Sequence, residues 1–414
     1  MSKKKVSTES YKGVRDLYPE DFAIQKYIFG IWRRFAEKCG YVEYHASILE
    51  PAELYRGKTS EEIVNEQTYT FVDRGKREVT LRPEMTPTVA RMVAAKRREL
   101  PFPLRWYSIP NVFRYERPQH GRLREHWQLN VDLFGSENPA AEAEIIAMAY
   151  GLMFAFGATE KDFVIKVNSR RSLNECINRH TLSREKARGL LGLLDRKAKM
   201  REGDFKSELE KFGIPLEEIA PAEPPPDVAD IIKPLHEAGL ANIVYDPSVV
   251  RGFDYYNGIV FEVFDTHPDN NRSLFGGGRY DNLLDMFGEH VPAVGFGMGD
   301  VTITNFLSMR GLLPPHTSPI AVYIVVTSQD MVSEAMKLAG ELRQRDINVA
   351  VDLGDKRIGD QIKSADKQKI PYIVAVGSRE VQNNTFTIKE LASGKETTVK
   401  REEIADAFLE QGEK

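Results

Sequence analysis

Residues 125–135 read EHWQLNVDLFG, and the stretch alternates without a fault. Successive strand side chains point to opposite sides, so Trp127, Leu129, Val131 and Leu133 fall on one face and His126, Gln128, Asn130 and Asp132 on the other. One face belongs to a core. The other carries a carboxylate and amides, a pattern shared by a half-exposed antiparallel strand and by the wall of a polar site. The preceding RWYSIPNVFRYER (105–117) also reads as strand and sets Arg114 and Glu116 on one face. The link PQHGRLR (118–124) offers Gly121 for a turn, with Arg122 and Arg124 beside it. Such a hairpin suits a charged, phosphate-bearing substrate, because a guanidinium fork holds carboxylate or phosphate through two parallel bonds.

Around this hairpin the order of elements predicts an α+β fold with an antiparallel sheet. A helix is expected over 22–39 and another opens at Thr86–Pro87, with strand patterns near 104–134 and 251–264. Residues of approximately 168–240 read mostly helical, with REKARGLLGLLDRK (184–197) amphipathic, and form an insertion between two parts of the sheet. PAEPPPDVADIIKP (221–234) is proline-rich and acidic, which suits a connector. LLPPHTSPI (312–320) is a second break. Beyond it AVYIVV, SEAMKLAGELRQRD, NVAVDL, IGDQIKSADKQ and PYIVAVG alternate strand and helix, the signature of a small α/β domain with a parallel sheet. The expected domains are 1–318 and 319–414.

Bulk properties narrow the class. The 414 residues carry a formal charge of −4, which argues against a protein that coats nucleic acid through a field of basic residues. A local basic patch over 91–124 could still face phosphates. Cys39 and Cys176 are far apart and match neither a disulfide framework nor a zinc spacing. No apolar run approaches the roughly 18 residues of a membrane span, and the basic start MSKKKVSTES leads into no apolar segment, so no membrane association and a cytoplasmic location are expected. AELYRGKT (52–59) loosely fits a phosphate loop, but the first glycine is missing and Glu53 makes its interior bulky and acidic.

FRYERPQHGRLREHWQLNVDLFG (113–135) resembles motif 2 of the histidyl-tRNA synthetases, a class II aminoacyl-tRNA synthetase family. RGFDYYNGIVFEVF (251–264) and GGGRYDNL (276–283) are similar to its two histidine signatures, GYVEYHASILEPAELY (40–55) to motif 1, LRPEMT (81–86) to the amino-acid loop, and KGVRDLYPED (12–21) to its N-terminal opening. The matches stand in the family's order over nearly the whole chain. The resemblance implies a class II catalytic sheet with a helical insertion, a homodimer joined through motif 1, and a C-terminal anticodon-binding domain. It implies a histidine–tRNA ligase that uses ATP with Mg²⁺ to activate L-histidine and charge tRNA-His. No protein metal ligand is expected.

Carried over by position, Arg114 and Arg251 are the catalytic pair, flanking the substrate carboxylate and the α-phosphate. Glu84, Met85, Thr86 and Gln128 surround the amino group, and Asp132, Tyr255 and Tyr256 the imidazole. Glu116 and Arg122, with Arg114 and Arg251, serve ATP, and Arg124 is a further candidate there. Read singly, Thr86 is also a helix cap and the two tyrosines strand aromatics.

GFGMGD (295–300) departs from the family pattern. Its glycines half resemble a dinucleotide fingerprint, but no βαβ pattern surrounds them, which disfavours a nicotinamide oxidoreductase. Read as motif 3, the strand should lead into Glu-Arg, and it runs into Asp300 and Val301 instead. The loss of that cation keeps an alternative open, the catalytically silent synthetase-like regulatory subunit of ATP phosphoribosyltransferase. Against it stand both histidine signatures and the C-terminal domain.

Overall fold

The computed structural model describes residues 6–56, 67–116, 123–197, 200–251, 255–270, 272–353 and 356–412. They fall into two compact units, one up to Pro314 and one from Pro315.

The first unit contains β1 (Val42–Glu43), β2 (Leu49–Pro51), β3 (Tyr69–Val72), β4 (Glu78–Leu81), β5 (Leu104–Ser108), β6 (Asn111–Phe113), β7 (Glu125–Phe134), β8 (Phe163–Ser169), β9 (Ile243–Tyr245), β10 (Ile259–Asp265), β11 (Ser273–Arg279) and β12 (Ala293–Gly299). Nine strands form one sheet in the order β1-β5-β7-β12-β11-β10-β8-β9, with β6 pairing β7 off that path. All pairings are antiparallel except β1 with β5 and β8 with β9. A separate three-stranded sheet, β2-β4-β3, stands beside it.

One face of the large sheet is covered by the helices Pro19–Lys38, Ala140–Ala155, Pro226–Glu237 and Asp300–Met309. Ile28, Trp32, Ile145, Leu152, Ile231 and Phe306 pack there against Leu129, Val131 and Leu133 of β7, all essentially dry. Burying a Leu or Ile contributes about 1.5–3 kcal/mol, so this layer fastens the sheet from one side and leaves the other face to carry a site. That other face is polar at its centre, with aromatic packing around Tyr255, Tyr256 and Tyr280.

Buried charge pins the layers in register. Arg279 at the end of β11 is 3% exposed and forks onto Glu142, with its Nη1 also on Asp281 at 2.9 Å and on the Ser136 carbonyl at 3.0 Å. The bidentate geometry offsets the cost of desolvating both ions. Its neighbour Tyr280 is thereby held over the polar face.

Two expectations change. The stretch 221–234 is no mere connector, since most of it lies in the helix Pro226–Glu237, whose Val228, Ile231 and Leu235 are buried. Proline suits the first turn of a helix, where its missing N–H has no partner to lose, so a proline cluster there marks a start. A second helical core gathers Leu173, Ile177, Leu190, Leu194, Phe205, Leu209 and Ile219, apart from the sheet.

The second unit holds β13 (Val322–Val326), β14 (Val349–Val351), β15 (Tyr372–Val376), β16 (Thr385–Glu390) and β17 (Glu396–Lys400), ordered β14-β13-β15-β16-β17. The first three are parallel, as the alternation predicts. The last two form an antiparallel hairpin added to the edge, so the sheet is mixed. In the hairpin TFTIKELASGKETTVK only Phe386 and Ile388 of β16 are buried, while β17 is mostly exposed, and so short an apolar pattern hid it.

Candidate functional site

On the polar face a cleft open to solvent is lined by Glu84, Thr86, Arg114, Gln128, Asn130, Asp132, Arg251, Tyr255, Tyr256 and Tyr280, with Gly295, Phe296 and Gly297. Glycines open it. In β12, Gly295 pairs with Asp132 and Gly297 with Asn130 of β7. A Cβ on Gly295 would lie 2.5 Å from Asp132 Oδ1 and 2.4 Å from the Val131 carbonyl oxygen, and one on Gly297 would lie 2.6 Å from Gln128 Nε2. On β11 a Cβ at Gly276 would lie 2.4 Å from Arg251 Nη1. Because β12 runs antiparallel between β7 and β11, no βαβ unit exists around GFGMGD, and the dinucleotide reading is excluded.

The acidic end is dry. Glu84 is 3% exposed and its Oε2 accepts from the Tyr255 hydroxyl at 2.9 Å. Thr86 is the first residue of the helix Thr86–Ala95, with Met85 at its cap position, so the threonine side chain is spared for the cleft. Met85 is buried and its side chain does not line the cleft. The loop before it is tied by Arg82, 2% exposed, which donates to the carbonyls of Ala46 at 2.8 Å and Asn111 at 2.9 Å.

Asp132 accepts from the Tyr280 hydroxyl through Oδ1, while its Oδ2 is buried with no hydrogen-bond partner among the described residues. Burial pushes its pKa up to about 7, with the Tyr280 bond pulling the other way. An acceptor so placed is incomplete until something donates to it. Tyr255 and Tyr256 are not strand aromatics. They precede β10, with ring centroids 4.8 Å apart, and burial raises both hydroxyl pKa values.

The cationic side joins Arg114, which follows β6 and donates Nε to the Pro83 carbonyl at 2.9 Å, to Arg251. Arg251 has a φ of 52°, a left-handed backbone that costs an arginine about 1–2 kcal/mol, and such strain concentrates at functional sites. Burial, the largest influence, disfavours its charge, but Tyr256, Glu262 and Tyr255 outweigh it and raise its pKa. Its Nη1 lies 3.3 Å from Glu262, and its Nε is buried without a partner among the described residues.

The sites expected on the hairpin divide. Arg122 lies outside the described residues, as do residues 57–59 of the loose phosphate-loop match. Glu116 does not line the cleft. Arg124 is 8% exposed, with its guanidinium 3.9 Å over the Tyr115 ring and Nη1 on the Tyr11 hydroxyl and the Lys12 carbonyl, both at 3.2 Å. It clamps the N-terminal segment to the hairpin. Asn130 and Tyr280 line the cleft without having been chosen from sequence. Both had a signal, Asn130 in the strand alternation and Tyr280 in GGGRYDNL.

Asp300 does not line the cleft. It is 2% exposed and accepts from Arg15 at 2.7 Å, from Gln25 at 3.0 Å and from the Trp127 backbone N–H at 3.0 Å. Where the family pattern has Glu-Arg, this chain has Asp300 and Val301, and Asp300 is a buried carboxylate that ties the N-terminal segment, the first helix and β7 together.

This antiparallel sheet with its cleft on one face and helices on the other is the architecture of a class II aminoacyl-tRNA synthetase. The family model for histidyl-tRNA synthetase matches residues 13–204 and 224–301, and that for an anticodon binding domain matches 321–411. The histidine–tRNA ligase of Leptospira biflexa is 42% identical, with 99% of each chain covered, and that of Thermoplasma volcanium is 36% identical, covering 97% of this chain and 98% of the relative. The histidyl-tRNA synthetase structure from Nostoc sp. PCC 7120 shares the fold with a TM-score of 0.81 at 22% identity, over 98% of this chain and 100% of that one. The chain belongs to the histidyl-tRNA synthetase family.

The buried Asp132 generates a pH prediction for the ligand-free protein. A carboxylate pKa raised to about 7 contributes stability below its ordinary value, and that contribution is lost as pH rises through about 7. From roughly pH 5.5 to roughly pH 8, wild type should lose about 2 kcal/mol of unfolding free energy relative to Asp132→Asn. A difference that stays flat in denaturant titrations would show that Asp132 is not perturbed.

Proposed function

We propose that the chain is a histidine–tRNA ligase that activates L-histidine with ATP to the adenylate, releasing pyrophosphate, and then transfers the histidyl group to the 3′ end of tRNA-His. The observation that carries this reading is the cleft itself, in which a dry carboxylate with an unfilled acceptor position faces two arginines across a floor of glycines. The amino acid enters with its ammonium toward Glu84, Thr86 and Gln128, where acceptors gather. Its imidazole donates to Asp132 near Tyr255 and Tyr256. A site that would leave such groups unpaired rejects a side chain lacking the ring nitrogens by orders of magnitude.

Arg114 and Arg251 then take the two sides of the reacting centre. As the carboxylate attacks the α-phosphorus, charge spreads over the phosphoryl oxygens, and fixed guanidiniums stabilise it without reorganising. Met85 contributes backbone at the amino-acid end, while Glu116 and Arg122 serve the nucleotide from the hairpin. Mg²⁺ comes bound to the outer phosphates, in keeping with its preference for phosphates and water over an all-protein cage. Among the described residues the one group of three or more close metal-type ligands, Cys176, His180 and Glu218, takes no part in lining the cleft.

We assign residues 1–318 to catalysis, with the helical insertion at approximately 168–240, and 319–414 to anticodon binding, in a cytoplasmic homodimer. Among the described residues no helix is long and apolar enough to cross a membrane. The regulatory-subunit alternative has less support, because the relatives matched along almost their whole length are histidine–tRNA ligases.

The direct test is ATP–pyrophosphate exchange. Exchange should depend on L-histidine, and none at saturating ATP would refute the ligase reading. In the same assay Arg251→Ala should leave the KM for histidine within a few-fold and lower the rate by roughly a hundredfold or more, the scale set by removing one charge-stabilising donor. Near-normal rates would show that Arg251 plays no part in the chemistry.

A further inference from the structure

The charge that Asp300 holds in place has no role in the site as described so far. Arg15 lies in the N-terminal segment, 30% of its side chain exposed, with Nη2 on Asp300 Oδ2 at 2.7 Å. Asp300 is fixed in turn by Gln25 and by the backbone N–H of Trp127, so the guanidinium is anchored beside the start of β7. Its Nε and Nη1 have no partner among the described residues. The same segment is fastened a second time, where the Arg124 N–H donates to the Gly13 carbonyl at 2.7 Å.

The strand neighbour of Trp127 on the cleft face is His126, two residues from Gln128 in the cleft wall. Burial, Arg114 and Arg15 together push the His126 pKa down to about 3. Two guanidiniums therefore bear on one neutral imidazole, and no hydrogen-bond partner of that ring is found among the described residues. Arg15 keeps guanidinium donors unused among the described residues at the end of the cleft where Arg114 also bears on His126, and such donors suit phosphate oxygens. The cleft interior already accounts for an amino acid and the reacting phosphoryl group between Arg114 and Arg251. What is left for this end is the outward part of the nucleotide.

We propose that Arg15, oriented by the buried Asp300, holds the β- and γ-phosphates of ATP, and that His126 lines the same subsite. The chain thus carries its tail-binding cation on the N-terminal segment, and the residue that opens the helix after β12 positions that cation. This rests on the reading of the cleft as an ATP-using one.

The test is equilibrium binding of ATP, AMP and L-histidine to the full chain by calorimetry, for wild type, Arg15→Gln and Arg15→Lys. Glutamine still donates to Asp300 and keeps the anchor, but carries no charge. Arg15→Gln should weaken ATP binding by roughly tenfold or more and leave AMP and histidine within about twofold, while Arg15→Lys keeps most of the ATP affinity. Unchanged ATP binding in Arg15→Gln, or an equal loss for ATP, AMP and histidine, overturns the assignment, the second outcome showing that Arg15 only supports the fold. Wild-type protein that binds no ATP refutes the ligase reading instead, so the two failures are told apart.

Discussion

Two strands with no room for side chains set the geometry of this protein. Gly295 faces the Val131 carbonyl oxygen at a distance no Cβ could occupy, and Gly276 and Gly297 leave the space that Arg251 and Gln128 fill. The sheet backbone of β11 and β12 becomes the floor of a cleft, and long polar side chains from β7 and from the segment before β10 lie across it. Everything else serves that arrangement. The helical layer keeps the sheet in place from behind, the Arg279–Glu142 pair fixes the end of β11, and Arg82 ties down the loop that presents Glu84 and Thr86.

A buried polar cleft costs stability unless its groups find partners, and here several do so only in part. Among the described residues Asp132 keeps one oxygen unpaired, and Arg251 holds a buried, unpartnered Nε on a strained backbone. A ligand that supplies the missing partners gains what the empty fold gives up. Asp300 differs from these groups. It has three donors and completes itself within the fold, which makes it a support and not a contact.

The alternation in β7 and the order of the motifs made the main sheet and most of the cleft legible in the sequence, because both depend on local spacing. The cleft-lining Glu84, Thr86, Arg114, Gln128, Asp132, Arg251, Tyr255 and Tyr256 all come together from segments up to about 170 residues apart, as in the Glu84–Tyr255 bond with a separation of 171. Asn130 and Tyr280 were visible as pattern but not as lining, since which polar residue on a strand face reaches a ligand depends on the opposite strand. The helix Pro226–Glu237 was hidden by its prolines, whose composition signals a linker while their position signals a first turn. The edge hairpin β16–β17 has only Phe386 and Ile388 as a buried apolar pair, too short a pattern to betray it. The role of Asp300 could not be read at all, because its three partners come from residues far away in sequence.

The central claim is that missing side chains in β12 create the amino-acid pocket. Gly297→Ala tests it most directly, because the three atoms nearest the added Cβ all belong to the movable end of Gln128. Calorimetric binding of L-histidine to this variant, with its unfolding midpoint checked alongside, should give an affinity lowered by roughly tenfold or more in a protein that still folds. A folded variant that binds L-histidine as tightly as wild type would contradict the account.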